Sequence, residues 1–139
     1  MKNILETLLF KVSGKGMYEI TSDVSNWVTQ HILESGHLNI FIHHTSASLS
    51  IMENASPDVL EDINNFFLKL VPEDSSLYKH RYEGDDDMPA HIKYMLTQTS
   101  HKIPVSEGKM ILGTWQGIYL FEHRYEEKER KITLSFIGN

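Results

Sequence analysis

Cysteine is absent from all 139 residues, so disulfides and thiolate metal sites are excluded and any metal must be held by His, Asp or Glu. A reducing compartment fits that absence. Basic charge is scarce as well: 13 Lys and Arg stand against 19 Asp and Glu, a net charge of -6, and no local basic patch interrupts the acidic balance. Such a surface opposes phosphate polymers and anionic bilayers, so neither a nucleic-acid nor a membrane partner is expected. Long apolar runs are missing too. Met1 to Gly16 carries Glu6 inside its apolar stretch and has no small-residue cleavage site, so it does not read as a secretory signal, and nothing approaches the length of a membrane span. Repeats and low-complexity segments are lacking. The expectation is a cytoplasmic protein whose residues 1–139 form a single domain, large enough to bury a core without staples.

What is present reads mainly as strands. Ile4 to Val12 and Met17 to Ile20 are β-compatible and are separated by the turn residues Ser13-Gly14-Lys15-Gly16. Ser22-Asp23 marks a helix start, with Val24, Trp27, Val28, His31 and Ile32 at helical spacing and Gly36 as the expected C-terminal cap. Leu38, Ile40 and Ile42 then alternate with polar or aromatic neighbours, and His44 continues their row. In the same way Glu53 continues the row of Ala47, Leu49 and Ile51. An ionisable group that extends an inward face must be paired, neutralised or metal-bound unless the strand has already reached water, so His44 and Glu53 are site candidates.

Ser56-Pro57 opens the clearest helix, with an acidic first turn of Asp58, Glu61 and Asp62 that suits the helix dipole. Its stripe of Val59, Leu60, Ile63, Phe66, Phe67 and Leu70 is expected to be core. Pro72 ends it. A polar loop leads to the 14 residues from Tyr78 to His91, which hold two histidines and four carboxylates and close on a helix begun near Asp87-Met88-Pro89. Further on, His101 to Val105 and Lys109 to Leu112 read as a hairpin. Gly113-Thr114-Trp115-Gln116-Gly117 then interrupts a strand region that resumes at Ile118 to His123, and Lys131 to Ile137 alternates as a closing strand. The sum is an α+β fold, a compact domain of about eight mainly antiparallel strands in a sandwich-like arrangement with two to three helices.

Three constellations carry chemistry. His44, His80 and His91, with a carboxylate from Asp85 to Asp87 or Glu53, could converge on a divalent ion from separate elements; the alternative is surface or satisfied core histidines. Thr45, Ser46, Gly113 and Gly117 offer hydroxyls and amides to a phosphate, helped by the lone cations Lys93 and Arg124; the alternative is a bulge at the two glycines. A serine nucleophile at Ser46 or Ser48 lacks the strained Gly-x-Ser-x-Gly turn and is set aside.

The runs His44-Thr45-Ser46-Ala47-Ser48-Leu49, Tyr82-Glu83-Gly84-Asp85-Asp86-Asp87-Met88-Pro89-Ala90-His91 and Leu112-Gly113-Thr114-Trp115-Gln116-Gly117-Ile118 resemble the YjbQ-like family of secondary thiamine-phosphate synthases. The likeness extends over nearly the whole chain, to Arg130-Lys131-Ile132. It implies antiparallel sheets, a homotrimer with sites shared between subunits, and His44, His80 and His91 as the histidines of the family pattern. Glu53, Asp58, Asp62, Glu83 and Asp86 match its acidic positions. The activity implied joins a pyrimidine diphosphate to a thiazole phosphate with release of pyrophosphate. We therefore expect a metal-dependent enzyme on a small phosphorylated metabolite. His44, His80 and His91 would hold a zinc-like ion, Glu53 or Asp86 would act as base, and Thr45, Ser46, Thr114, Gln116 and Arg124 would contact substrate. Magnesium suits the pyrophosphate but prefers carboxylates and water to three imidazoles, a mismatch that points towards another physiological reaction. The alternative from a different class is a non-catalytic metal- or small-molecule-binding oligomer.

Overall fold

Every strand pair in the protein is antiparallel, and the strands fall into two sheets. The computed structural model describes all residues 1–139. In chain order the elements are β1 (Lys2–Val12), β2 (Gly16–Glu19), α1 (Thr21–His31), β3 (Gly36–Ile42), β4 (Ala47–Glu53), α2 (Pro57–Leu70), α3 (Asp87–Leu96), β5 (Ser100–Ser106), β6 (Lys109–Met110), β7 (Gln116–Glu122) and β8 (Lys128–Gly138), with a short 3-10 turn at Ser75–Leu77. The larger sheet has the order β1-β8-β3-β5-β6 and the smaller one β2-β7-β4. The expected α+β class with eight strands and three helices is what forms. No helix is long and apolar enough to cross a membrane.

The core follows from strand periodicity. Leu38, Ile40 and Ile42 of β3 and Ile132, Leu134 and Phe136 of β8 are buried, as are Leu49 of β4 and Ile118 and Leu120 of β7. α1 adds Val24, Trp27 and Val28 to the same cluster. Its start is tied to β7, because the Ile118 amide donates to Thr21 Oγ1 at 2.8 Å. β7 is buried from Gly117 to Glu122 on both faces, since Phe121 packs edge-on against Phe67 of α2 with ring centroids 5.5 Å apart.

Two local expectations are corrected. Gly36 does not cap α1, which ends at His31; it begins β3, where a Cβ would stand 2.2 Å from the Ile137 carbonyl oxygen of β8, so close strand approach explains the glycine. The apolar stripe of α2 is not core. None of its residues is fully buried, and Phe66 and Leu70 are 58% and 52% exposed, while Phe67 is the member of the stripe that packs on Phe121 of β7.

Candidate metal centre

The second histidine-rich run acquires its shape from Arg124, just beyond β7. Arg124 NH1 donates to Asp87 Oδ1 at 2.5 Å, its Nε donates to Asp86 Oδ2 at 3.0 Å, and NH2 donates to the Glu83 carbonyl at 2.9 Å. The Tyr125 amide adds a bond to Asp86 Oδ2 at 2.8 Å. Gly84, at φ 110°, lets the loop fold back onto this guanidinium in a conformation that a side chain resists. Burial alone would raise the Asp86 carboxyl, but the Tyr125 amide and Arg124 hold it below the usual carboxylate range. A carboxylate so committed is a weak proton acceptor, which bears directly on the base role expected for it.

Asp87 starts α3, and His91 follows one turn later on the same helix face. His91 Nδ1 lies 2.8 Å from the Thr45 carbonyl oxygen, which can only accept, so Nδ1 carries a proton, and Nε2 on the other side of the ring is turned towards Asp87 Oδ2, 3.4 Å away. His80 Nε2 lies 2.8 Å from the same Asp87 oxygen and 2.8 Å from Glu83 Oε2. One ligand atom from each of His80, Asp87 and His91 falls within 4.8 Å of the others. Asp87 is 5% exposed whereas His80 is 51% exposed, so the group has a buried base and an open mouth. Two imidazoles and one carboxylate, one imidazole oriented by a backbone carbonyl, make a donor set that fits a zinc-like divalent ion with free coordination positions.

His44 stands outside this group. Its Nε2 accepts the Lys131 amide at 2.8 Å, which puts its proton on Nδ1, and burial together with nearby Arg130 lowers its pKa, so it is a neutral ring locked to β8. Within one chain the third group beside His80 and His91 is Asp87 rather than His44. Thr45 contributes its carbonyl rather than its hydroxyl, and the Ser46 hydroxyl accepts from Arg130 NH2 at 2.9 Å. Glu53, Thr114 and Gln116 lie elsewhere. Glu53 pairs in register with Gln116 at the far end of β4 and β7, about 20 Å along the strands from Ala47 and Glu122. There Glu53 Oε2 accepts the amides of Ala55 and Ser56, and Gln116 Oε1 accepts the Gly113 amide at 2.8 Å. The Gly113 amide is thereby used within its own turn rather than presented to a phosphate, and within one chain neither Glu53 nor Gln116 reaches His80 or His91.

The sequence reading missed the polar core beneath the centre. Arg130 Nε donates to Glu122 Oε1 at 2.6 Å and its NH2 donates to Glu122 Oε2 at 2.5 Å, both residues being buried; Oε2 also accepts the amides of His123 and Arg124. The signal was available: Glu122 continues the inward row of Ile118 and Leu120, and Arg130 begins that of Ile132, Leu134 and Phe136. His123, buried beside them, has its pKa lowered to about 3, chiefly by burial and then by the Lys93, Arg130 and Lys15 charges.

Comparison with known proteins agrees with these motifs. The family model described as UPF0047 protein YjbQ-like matches residues 6–139. The chain is 45% identical over 133 residues to a UPF0047 protein of Synechocystis, covering 96% of this chain and 90% of that one. It is 40% identical over 134 residues to UPF0047 protein YjbQ of Escherichia coli O157:H7, covering 96% of each. Among solved structures, a YbjQ-like protein of unknown function from Sulfolobus solfataricus superposes with a TM-score of 0.86 at 27% identity, over 99% of this chain and 100% of that one. A YjbQ/UPF0047 protein from Clostridium acetobutylicum gives 0.84 at 36% identity, over 95% and 99%. The chain with the Arg124-clamped aspartates and the His80–Asp87–His91 group belongs to the YjbQ-like UPF0047 family.

Proposed function

We propose that this protein is a metal-dependent enzyme acting on a small phosphorylated metabolite, with thiamine-phosphate synthesis as the nameable activity. The observation that carries this reading is the orientation of His91: its Nδ1 donates to the Thr45 carbonyl, which fixes the ring so that Nε2 is aimed at the place where His80 and Asp87 also converge. A ring held only for packing has no need of that arrangement. When bound at His80, Asp87 and His91, a zinc-like divalent ion would supply Lewis acidity to a phosphoryl oxygen or a bound water. Magnesium would enter, if at all, with the pyrophosphate of the substrate. Arg124 holds Asp86 and Asp87 in place, so its role is to position the ligands rather than to meet substrate.

The remaining candidates fit a homotrimer. Glu53, Thr114 and Gln116 serve this centre only where a neighbouring subunit brings its far sheet end to it, and Thr114 and Gln116 are exposed in the single chain. Exposed Phe66 and Leu70 of α2 and Met95 and Leu96 of α3 supply apolar surface for such contacts. The acidic surface and absence of cysteine fit a cytoplasmic enzyme.

Metal analysis of purified wild type and His91→Ala tests the centre: a stoichiometric divalent ion lost in the variant is expected, and equal metal content in both would remove it. Pyrophosphate release from the pyrimidine diphosphate and thiazole phosphate, assayed with zinc, manganese and magnesium, tests the activity. Equal turnover by wild type and His91→Ala would remove the synthase reading. Light scattering on an eluting peak gives the oligomer, for which three chains are expected.

A further inference from the structure

A cavity of about 230 Å³ lies on the outer side of the three-stranded sheet. Phe121 and His123, at the end of β7, form one wall, and Phe67 and Leu68 of α2 form another. Lys93 of α3 and Lys15 of the turn between β1 and β2 complete it. Lys93 and His91 are two residues apart on α3, about 200° around the helix, so the cavity and the metal centre occupy opposite flanks of one helix.

The charges lining this cavity do not balance. Lys15 pairs with Glu73 and lies 4.1 Å from the centre of the Tyr125 ring. Glu122 is saturated by Arg130 and by the amides of His123 and Arg124. Lys93 is 3% exposed and joins none of the ion pairs of the protein. His123 is also buried; its Nε2 is 2.9 Å from Ser48 Oγ, and its Nδ1 has no protein partner. The Lys93 ammonium lies beside that of Lys15, and the opposite charge acting on it, Asp86, is not in contact and is already bonded by Arg124 and the Tyr125 amide, so this buried cation costs stability that an apolar residue of similar length would avoid. Phe67, Leu68 and Phe121 give the same cavity apolar walls.

We propose that this cavity binds a small organic oxyanion, a phosphate ester or a carboxylate, with its charge between Lys15 and Lys93 and its apolar body against Phe67 and Leu68. Two point-charge ammoniums suit either oxyanion. The site needs no metal and stands independently of the synthase reading.

Calorimetric titration of wild type, Lys93→Met and His91→Ala with phenyl phosphate, benzoate and inorganic phosphate tests it. Wild type is expected to bind phenyl phosphate or benzoate, and whichever binds more tightly names the anion class. Lys93→Met is expected to bind that ligand at least tenfold more weakly, while melting without ligand at the same temperature as wild type or higher, since a buried unpaired charge has gone. His91→Ala is expected to bind it as wild type does, and inorganic phosphate is expected to bind at least threefold more weakly than phenyl phosphate. Should Lys93→Met not fold, Lys15→Met is read in its place, with the same tenfold loss expected. The proposal is overturned if neither organic anion binds wild type, if the lysine variant binds within twofold of wild type, or if His91→Ala abolishes binding and so moves the anion to the metal centre.

Discussion

The two ends of the three-stranded sheet use similar polar residue types to opposite effect. At the Gln116 end, Gln116 bonds Gly113 and Glu53 bonds Ala55 and Ser56, so every partner is within three residues and the bonds close local turns. At the Glu122 end the partners come from distant segments: Arg130 meets Ser46, Arg124 meets Asp86 and Asp87, and His91 meets Thr45. Turn bonds form almost wherever the chain reverses. Bonds across long loops must be assembled against chain entropy, and when buried and charged they leave costly remnants if one member is lost. Residue type alone therefore does not distinguish a site from a turn; the sequence separation of the partners and their burial do.

The largest effect should come from the deepest pair. Arg130→Met leaves Glu122 buried and charged and should destabilise by about 3–5 kcal/mol, with much of that recovered in the Arg130→Met/Glu122→Leu double variant; urea unfolding measures both. A double variant no more stable than the single would show that the pair is not the reason the end is fragile. Acid should come next. His123 is held at about 3 against its ordinary 6.5, so the unfolded chain takes up the proton first: stability is full above about pH 6.5 and is lost as pH falls towards 3. Between pH 7 and 5 this amounts to about 2 kcal/mol, and His44, shifted in the same direction, adds to it. Unfolding midpoints of wild type and His123→Gln at the two pH values should diverge accordingly, and parallel pH dependence would rule His123 out as the cause. Arg124→Met releases Asp86 and Asp87 and, at the proposed His80–Asp87–His91 centre, should weaken metal binding about 10–100-fold in a chelator competition. The smallest change belongs to the opposite end: Gln116→Ala should cost about 1 kcal/mol or less by the same unfolding measurement. A loss as large as that of Arg130→Met would erase the contrast between the ends.

Much of the fold was legible because strand burial repeats every two residues. The inward rows of β3 and β8, and the position of His44 beyond the first of them, follow from counting. The same count reached Glu53, whose carboxylate accepts the amides of Ala55 and Ser56 in the turn after β4, a contact that periodicity does not foresee. Tyr78 to His91 was recognisable as a cluster of potential metal ligands, yet which of its aspartates lies by the histidines depended on Arg124, 37 residues beyond Asp87, which bonds both Asp86 and Asp87. Helix α2 shows the converse limit. Amphipathic spacing states which side of a helix is apolar, whereas how far that side is covered is decided by what packs on it, and in the single chain none of the α2 stripe is fully buried.

The place of β8 in its sheet governs timing as well as architecture. It is hydrogen-bonded to β1 on one side and to β3 on the other, although 115 residues, 13–127, separate β1 from it in sequence. During synthesis β1 therefore emerges with no strand to pair with, and the larger sheet can close only after residues 128–138 have left the ribosome. Until then both edges of an eleven-residue strand with Leu5 and Leu9 on its outer side are open to pairing with other chains, whereas in the finished sheet one is covered by β8. Expression yield should thus be more sensitive to holdase chaperones and to growth temperature than the unfolding free energy of the finished protein would suggest.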